Sequence, residues 1–157
     1  MADFVFNVAK GHVSEYAARI LANDPANSAF IVVLLDLSET DAVNEDFDEL
    51  LALLTSVNNT EATFTNYSRK ELDDVGDGVT RTVDDTNNRI DIDVSDFTFI
   101  AAGNGINNSI VDLLFCYDAD TLAGTDVNII PLTQHDFVIQ TDGSDITAQV
   151  TNFFRAS

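Results

Sequence analysis

The apolar positions of this chain change their period partway along it. Val13, Tyr16, Ala17, Ile20 and Leu21 recur at three- and four-residue spacing and predict a helix over 12–22. Glu15 and Arg19 lie four apart on its other side and can pair. Asn23-Asp24-Pro25 stops it. Phe4-Val5-Phe6, ahead of this helix, reads as a short strand or an arm. Ala29 to Leu35 is an unbroken apolar run rich in β-branched residues, the signature of a strand buried on both faces. Ser38 to Asp46 is a turn and cap zone. A second helix then runs through Phe47, Leu50, Leu51, Leu53, Leu54 and Val57, with a wide buried arc. Asn44 is its N-cap, and Glu45, Asp46 and Asp48 sit in its first turn, where the helix dipole favours anions. Asn58-Asn59 ends it.

From Glu61 onward the signals are those of strands and turns. Thr63 to Tyr67 reads as a strand, 73–78 as a loop, Thr80 to Val83 as a short strand and 84–88 as a turn. Ile90, Ile92 and Val94 alternate with Asp91, Asp93 and Ser95, the period of a strand with one wet face, and Phe97 and Phe99 continue the alternation. Ala101 to Asn108 is a loop, Ile110 to Tyr117 a buried strand and Asp118 to Asp126 a turn. Strands follow at 127–132, 137–140 and 146–154, the last two separated by a turn at 141–144. Helices near the N-terminus with strands after them predict an α+β fold. Two N-terminal helices pack on a mixed or antiparallel sheet or sandwich formed mainly by the C-terminal two-thirds. At 157 residues one domain, 1–157, is expected, able to bury about 70 % of the unfolded chain's surface.

Charge narrows the function classes. Aspartate supplies 21 of the 27 acidic residues, lysine occurs only at Lys10 and Lys70, and the formal net charge is −20. Such a surface repels nucleic acid and anionic leaflets, because it offers no cations to replace their condensed counterions. No nucleic-acid or membrane partner is expected. The apolar run 29–35 is far shorter than the roughly 20 residues that cross a bilayer, and Met1-Ala2-Asp3-Phe4 has no basic segment ahead of an apolar core. The chain reads as made and folded in a cytoplasm. An apolar fraction of 45 % in periodic runs argues against disorder despite the charge. One cysteine, Cys116, allows no intramolecular disulfide.

Each candidate for chemistry has a plainer structural reading. Asp118, Asp120, Gly124 and Asp126 resemble a calcium loop, but no bidentate glutamate follows and the glycine is displaced from the sharp turn. That cluster, the cluster Asp73, Asp74 and Asp77, and the pair Asp142 and Asp145 read as solvated turn residues, so no metal site is assigned. Cys116 lies in an apolar run with no positive neighbour to activate it. A Cys-His or Ser-His-Asp set could be drawn from Cys116, His135 and an aspartate, but no serine has a nucleophile elbow. Asp91 and Asp93 could serve a hydrolase as acid and base, though their face reads as the wet side of a sheet and no tryptophan is present to stack a sugar. Gly103-Asn104-Gly105 precedes a strand and no lysine follows, so it is not a phosphate loop. No catalytic residue and no cofactor is assigned. Phe153 and Phe154 point to opposite faces of a strand, so at least one should meet apolar surface, in this domain's own core or on a neighbouring subunit. Phe4 and Phe6 pose the same alternative.

Several blocks are similar to a family of small virion structural proteins of tailed bacteriophages: 6–11 (Phe6-Asn7-Val8-Ala9-Lys10-Gly11), 23–29, 61–70, 83–88, 114–118 and 130–137. They span nearly the whole chain in order. The resemblance implies a non-enzymatic component of the particle, associated with the head, that binds the major capsid protein or other virion proteins. A decoration or cement protein on the outer shell, forming homo-oligomers, is the expectation. Its place would be the capsid surface, after assembly in the host cytoplasm. A neck or tail component is the alternative within the virion, and a calcium-dependent acidic binding module the alternative outside it. Phe4, Phe6, Phe153 and Phe154 are the candidate subunit contacts.

Overall fold

The computed structural model describes residues 3–157. In chain order its strands are β1 (Phe4–Val5), β2 (Ala29–Leu37), β3 (Thr60–Glu61), β4 (Lys70–Leu72), β5 (Thr80–Asp84), β6 (Arg89–Asp93), β7 (Phe97–Phe99), β8 (Ser109–Asp118), β9 (Ile130–Gln140), β10 (Ile146–Ala148) and β11 (Phe154–Ala156). Its helices are α1 (Val13–Ala22), α2 (Asp41–Asn44) and α3 (Leu50–Thr55). The fold is α+β, and among the described residues every strand pairing is antiparallel. No helix of the described residues is long and apolar enough to cross a membrane.

The long strands β2, β8 and β9 form the centre, in the order β1-β9-β8-β2-β3, with β4 also on β2. Directly opposed residues share a face. Phe30, Val32 and Leu34 oppose Tyr117, Phe115 and Leu113 on one face; Ile31, Val33 and Leu35 oppose Cys116, Leu114 and Asp112 on the other. Every residue of β2 from Ala29 to Leu35 is buried, as an apolar run with no alternation requires. Two small sheets, β10-β7 and β11-β6-β5, complete the structure. β2 itself comes from the N-terminal third, so the main sheet is not confined to the later part of the chain.

Helix α1 forms over nearly the predicted span. Val13, Ala17 and Ile20 are fully buried, and Tyr16 stacks on Tyr117 with centroids 4.4 Å apart. Asn23 closes it in the left-handed conformation (φ 47°). The predicted second helix divides into α2 and α3, with Phe47 between them. Asn44 is not an N-cap but the last residue of α2, and its amide is drawn inward. Its Nδ2 donates to Gln134 Oε1 (3.1 Å) and Ser38 Oγ (3.0 Å), and its Oδ1 accepts from Asn59 Nδ2 (2.8 Å). α3 begins where a loop meets it: the Leu50 and Leu51 N–H groups donate to the Ile129 and Asp126 carbonyls. Its buried arc is narrow, Leu50 and Leu53, while Leu51 and Val57 are exposed.

Four strand assignments need correction. The stretch 63–67 is not a strand but a bend, turned at Asn66 (φ 71°). The outer edge of β2 is covered instead by β3 and β4, and in the gap between them the Leu34 N–H donates to the Tyr67 hydroxyl (3.1 Å). The expected strand 127–132 begins only at Ile130, after a turn, and runs on into the expected strand 137–140 as one strand, because Thr133, Gln134 and His135 all have polar partners and need not turn to water. The expected strand 146–154 is broken, since Asp96 and Asp93 capture the Val150 and Asn152 N–H groups. Phe97 and Phe99 alternate inward as expected, but on a separate strand that pairs with β10.

Two polar devices fix the covering elements. Arg69 donates two hydrogen bonds to Glu61 (2.7 and 2.8 Å) and two to Asp126 (2.6 and 3.0 Å), joining β3 to the 119–129 loop. Under α2, Gln134 Nε2 donates to Asp112 Oδ2 (3.0 Å) and Ser38 Oγ (3.2 Å), linking a fully buried carboxyl to the Asn44 cluster. Burial raises the Asp112 carboxyl above the ordinary carboxylate range; the Ser38 hydroxyl opposes this, and the charges of Asp136 and Asp41 add to it.

Removing one partner of a half-buried ion cluster leaves the others uncompensated. Arg69→Met should therefore lower unfolding free energy by about 2–3 kcal/mol in urea titrations. Hydrogen bonds from Arg69, against the opposing effect of burial, hold the Asp126 carboxyl below its ordinary range. A lowered folded value contributes stability above the unfolded pKa, about 3.9, and loses it as pH falls through the folded one. Asp126→Asn should thus destabilise at pH 7, with the difference closing in acid. Asp112 has the opposite sign: its raised folded value makes ionisation destabilising. Asp112→Asn should raise Tm at pH 7, and the gain should vanish below the unfolded aspartate pKa of about 3.9.

Candidate functional site

A cleft of about 430 Å³ opens on the face of β8 and β9. One wall is β1, which pairs with β9 through Phe4↔Gln134 and Val5↔Thr133. The other wall is the chain from 148 to 155. Both ends of the described chain therefore border one opening. Its floor is aromatic, with Phe115 and Phe137 on the two long strands. Phe153 lies flat on Phe115 (4.1 Å, 15°) and edge-on to Phe30 (5.2 Å, 82°), and the His135 ring meets Phe115 edge-on (5.9 Å, 86°).

The four candidate contact residues divide. Phe6 is fully buried and Phe153 is 8 % exposed, so both belong to the molecule's own core. Phe4 and Phe154 are half-buried, pack on that core and line the cleft. Phe115 and Phe137 border the same space, yet nothing in their local patterns marked them out. The signal that could have found them is register: alternation along β9 puts Thr133, His135 and Phe137 on one face.

That face carries a polar chain. Thr133 Oγ1 and His135 Nε2 are 2.9 Å apart, and His135 Nδ1 lies 3.2 Å from Asp3 Oδ2. Asp3 Oδ1 accepts the Asp136 N–H (3.0 Å). Burial works against ionising Asp3, but the bonds from Asp136 and His135 hold its carboxyl below the ordinary range. Hydroxyl, imidazole and carboxylate stand in the order of an activated nucleophile. Thr133 is only 1 % exposed, and the bonds of Asp3 fasten β1 to β9. Cys116 is not part of this group: it is fully buried on the opposite face of β8, and burial pushes its thiol well above the usual range.

The acidic candidates are engaged locally. Asp118 Oδ1 accepts the Asp120 N–H, Asp120 Oδ1 accepts the Leu122 N–H, and Asp126 is held by Arg69. Asp73 and Asp77 cap the Val75 and Asp73 N–H groups, while Asp142 and Asp145 cap those of Ser144 and Ala101. Among the described residues no group of three or more His, Cys, Asp or Glu is placed to hold a metal ion. The face of Asp91 and Asp93 is not the wet side of a sheet. Asp91 is buried between Arg155 (2.6 Å) and Arg89 (3.1 Å), and Asp93 holds the Asn152 N–H.

No protein-family model, curated protein or solved structure matches this chain.

The division of the phenylalanines predicts a division of energies. Phe153→Ala should cost about 3–5 kcal/mol, because it opens a cavity against Phe115 and Phe30. Phe154→Ala and Phe4→Ala should each cost about 1 kcal/mol, since part of each ring already faces water. Chemical denaturation of the three variants checks this.

Proposed function

We propose that the protein is a structural component of a tailed-phage virion that binds the outside of the head shell as a decoration or cement protein. It acts by adhesion. The observation that carries this reading is the aromatic cleft bordered by both chain ends on a molecule of net charge −20. Phe4 and Phe154 offer half-buried rings to a neighbour, and burying them further is favourable by the area removed from water. Most of the charge elsewhere is acidic and stays hydrated, facing away from packaged nucleic acid. Many copies bound through modest sites give firm attachment through avidity. The resemblance of the blocks from 6 to 137 to phage virion proteins supplies the particle, and the cleft supplies the contact.

A label inserted in the exposed 73–78 loop, which does not line the cleft, leaves this contact free. Electron microscopy of virions assembled with the labelled protein should show density over the head, lost when Phe4 and Phe154 are both changed to Asp. Density at the neck or tail would favour the alternative position, and unlabelled virions would overturn the proposal.

A further inference from the structure

The sheet β11-β6-β5 ends in an open edge. β5 pairs with β6 alone, and among the described residues no backbone hydrogen bond joins 80–84 to any other element. Its side chains are exposed from Thr80 to Val83. Proteins commonly blunt such an edge with short length, charged side chains, a proline or a bulge; β5 is five residues long and carries Arg81 and Asp84, charges that any self-pairing must match. β5 has no proline, and its register with β6 runs without a shift. The cross-strand row Val83, Ile90 and Ala156 floors a shallow hollow at the free end of the sheet, and Val83 is 54 % exposed. In the neighbouring row Ile92 is fully buried, while the exposed Arg81 donates its Nε–H to Ser14 Oγ on α1 (2.8 Å).

Charge singles out the same place. Four of the five arginines (Arg19, Arg81, Arg89 and Arg155) lie on α1, β5, β6 and β11, against four acids there, Glu15, Asp84, Asp91 and Asp93. With Asp85 in the turn after β5, this region carries a net charge of only −1 on a molecule of net charge −20. A second, equally acidic body meets least repulsion here.

We infer that the β5 edge pairs with the β5 edge of a second copy about a two-fold axis. Antiparallel pairing centred on Val83 sets Val83 against Val83 and Thr82 against Asp84. It also sets each Arg81 against the second copy's Asp85, twice by symmetry. Apolar meets apolar, and each exposed cation meets an anion. Centred on Thr82 instead, Arg81 would face Val83 and lose its ion partner. The contact is small, so the dimer is weak in solution and is strengthened where copies are held side by side. The inference does not depend on where in a virion the protein sits.

Sedimentation velocity of the full chain, from about 10 µM to about 1 mM, should show a reversible dimer of micromolar Kd, tighter when salt screens the net charge. Val83→Asp puts two carboxylates across the axis and should weaken the dimer about a hundredfold or more. Val83 is exposed, so the variant's melting and circular dichroism should match the parent's. Arg81→Asp and Asp85→Arg should each weaken the dimer, and the double variant should restore it. A chain that stays monomeric over the whole range would overturn the inference, as would a dimer indifferent to Val83→Asp. A monomeric Val83→Asp protein that still decorates shells would leave the adhesive role intact, and a dimer that never binds shells would count against that role alone.

Discussion

A strand that is apolar on both faces cannot be left against water on either side. β2 is such a strand from Ala29 to Leu35, and β8 shares the condition over most of its length. Everything else in the fold answers that demand. On one face the cover comes from Phe153, Phe97 and the ring of Tyr16. On the other, Asp112 and Gln134 lie beneath Asn44 of α2 and Ser38. Because the covering pieces are short, none is stable alone. Their stability is borrowed from the sheet.

Apolar contact alone does not decide how short pieces dock. The polar groups do. Asn44, Asn59, Gln134 and Ser38 form one connected set beneath α2, and a misplaced α2 would leave several of them unpaired in the interior. Arg69 does the same for the loop that carries Asp126, whose carbonyl also receives the first turn of α3. The buried carboxyl of Asp112 is the exception, with one oxygen unpartnered, and it stands as a penalty within an otherwise satisfied network.

Periodicity made the strongly patterned elements legible. α1, β2, β5 and β8 lie where the chain's own rhythm puts them, within a residue or two. Pattern and structure part where a polar residue suggests contact with water but finds its partners inside. Asn44 looked like a cap because asparagine favours caps, yet its partners lie 15 and 90 residues away. Thr133 to His135 looked like a gap between strands for the same reason. Asp91 looked wet, although Arg155 comes back from the chain's end to cover it. Local pattern carries no record of such distant partners. The cleft was half legible: the terminal phenylalanines announced that they needed apolar surroundings, but only the register of β8 on β9 shows where Phe115, His135 and Phe137 meet them.

The unequal use of the two acidic residues has a geometric meaning. Among the described residues ten aspartates accept a backbone N–H, including Asp73, Asp84, Asp118 and Asp142 at turns and Asp93 and Asp96 at the break between β10 and β11. At five of them, Asp73, Asp84, Asp118, Asp120 and Asp142, a side chain with a single methylene reaches the amide two residues on, which one more carbon would overshoot. Exchanging aspartate for glutamate in this protein would keep every charge and still unfasten its loops.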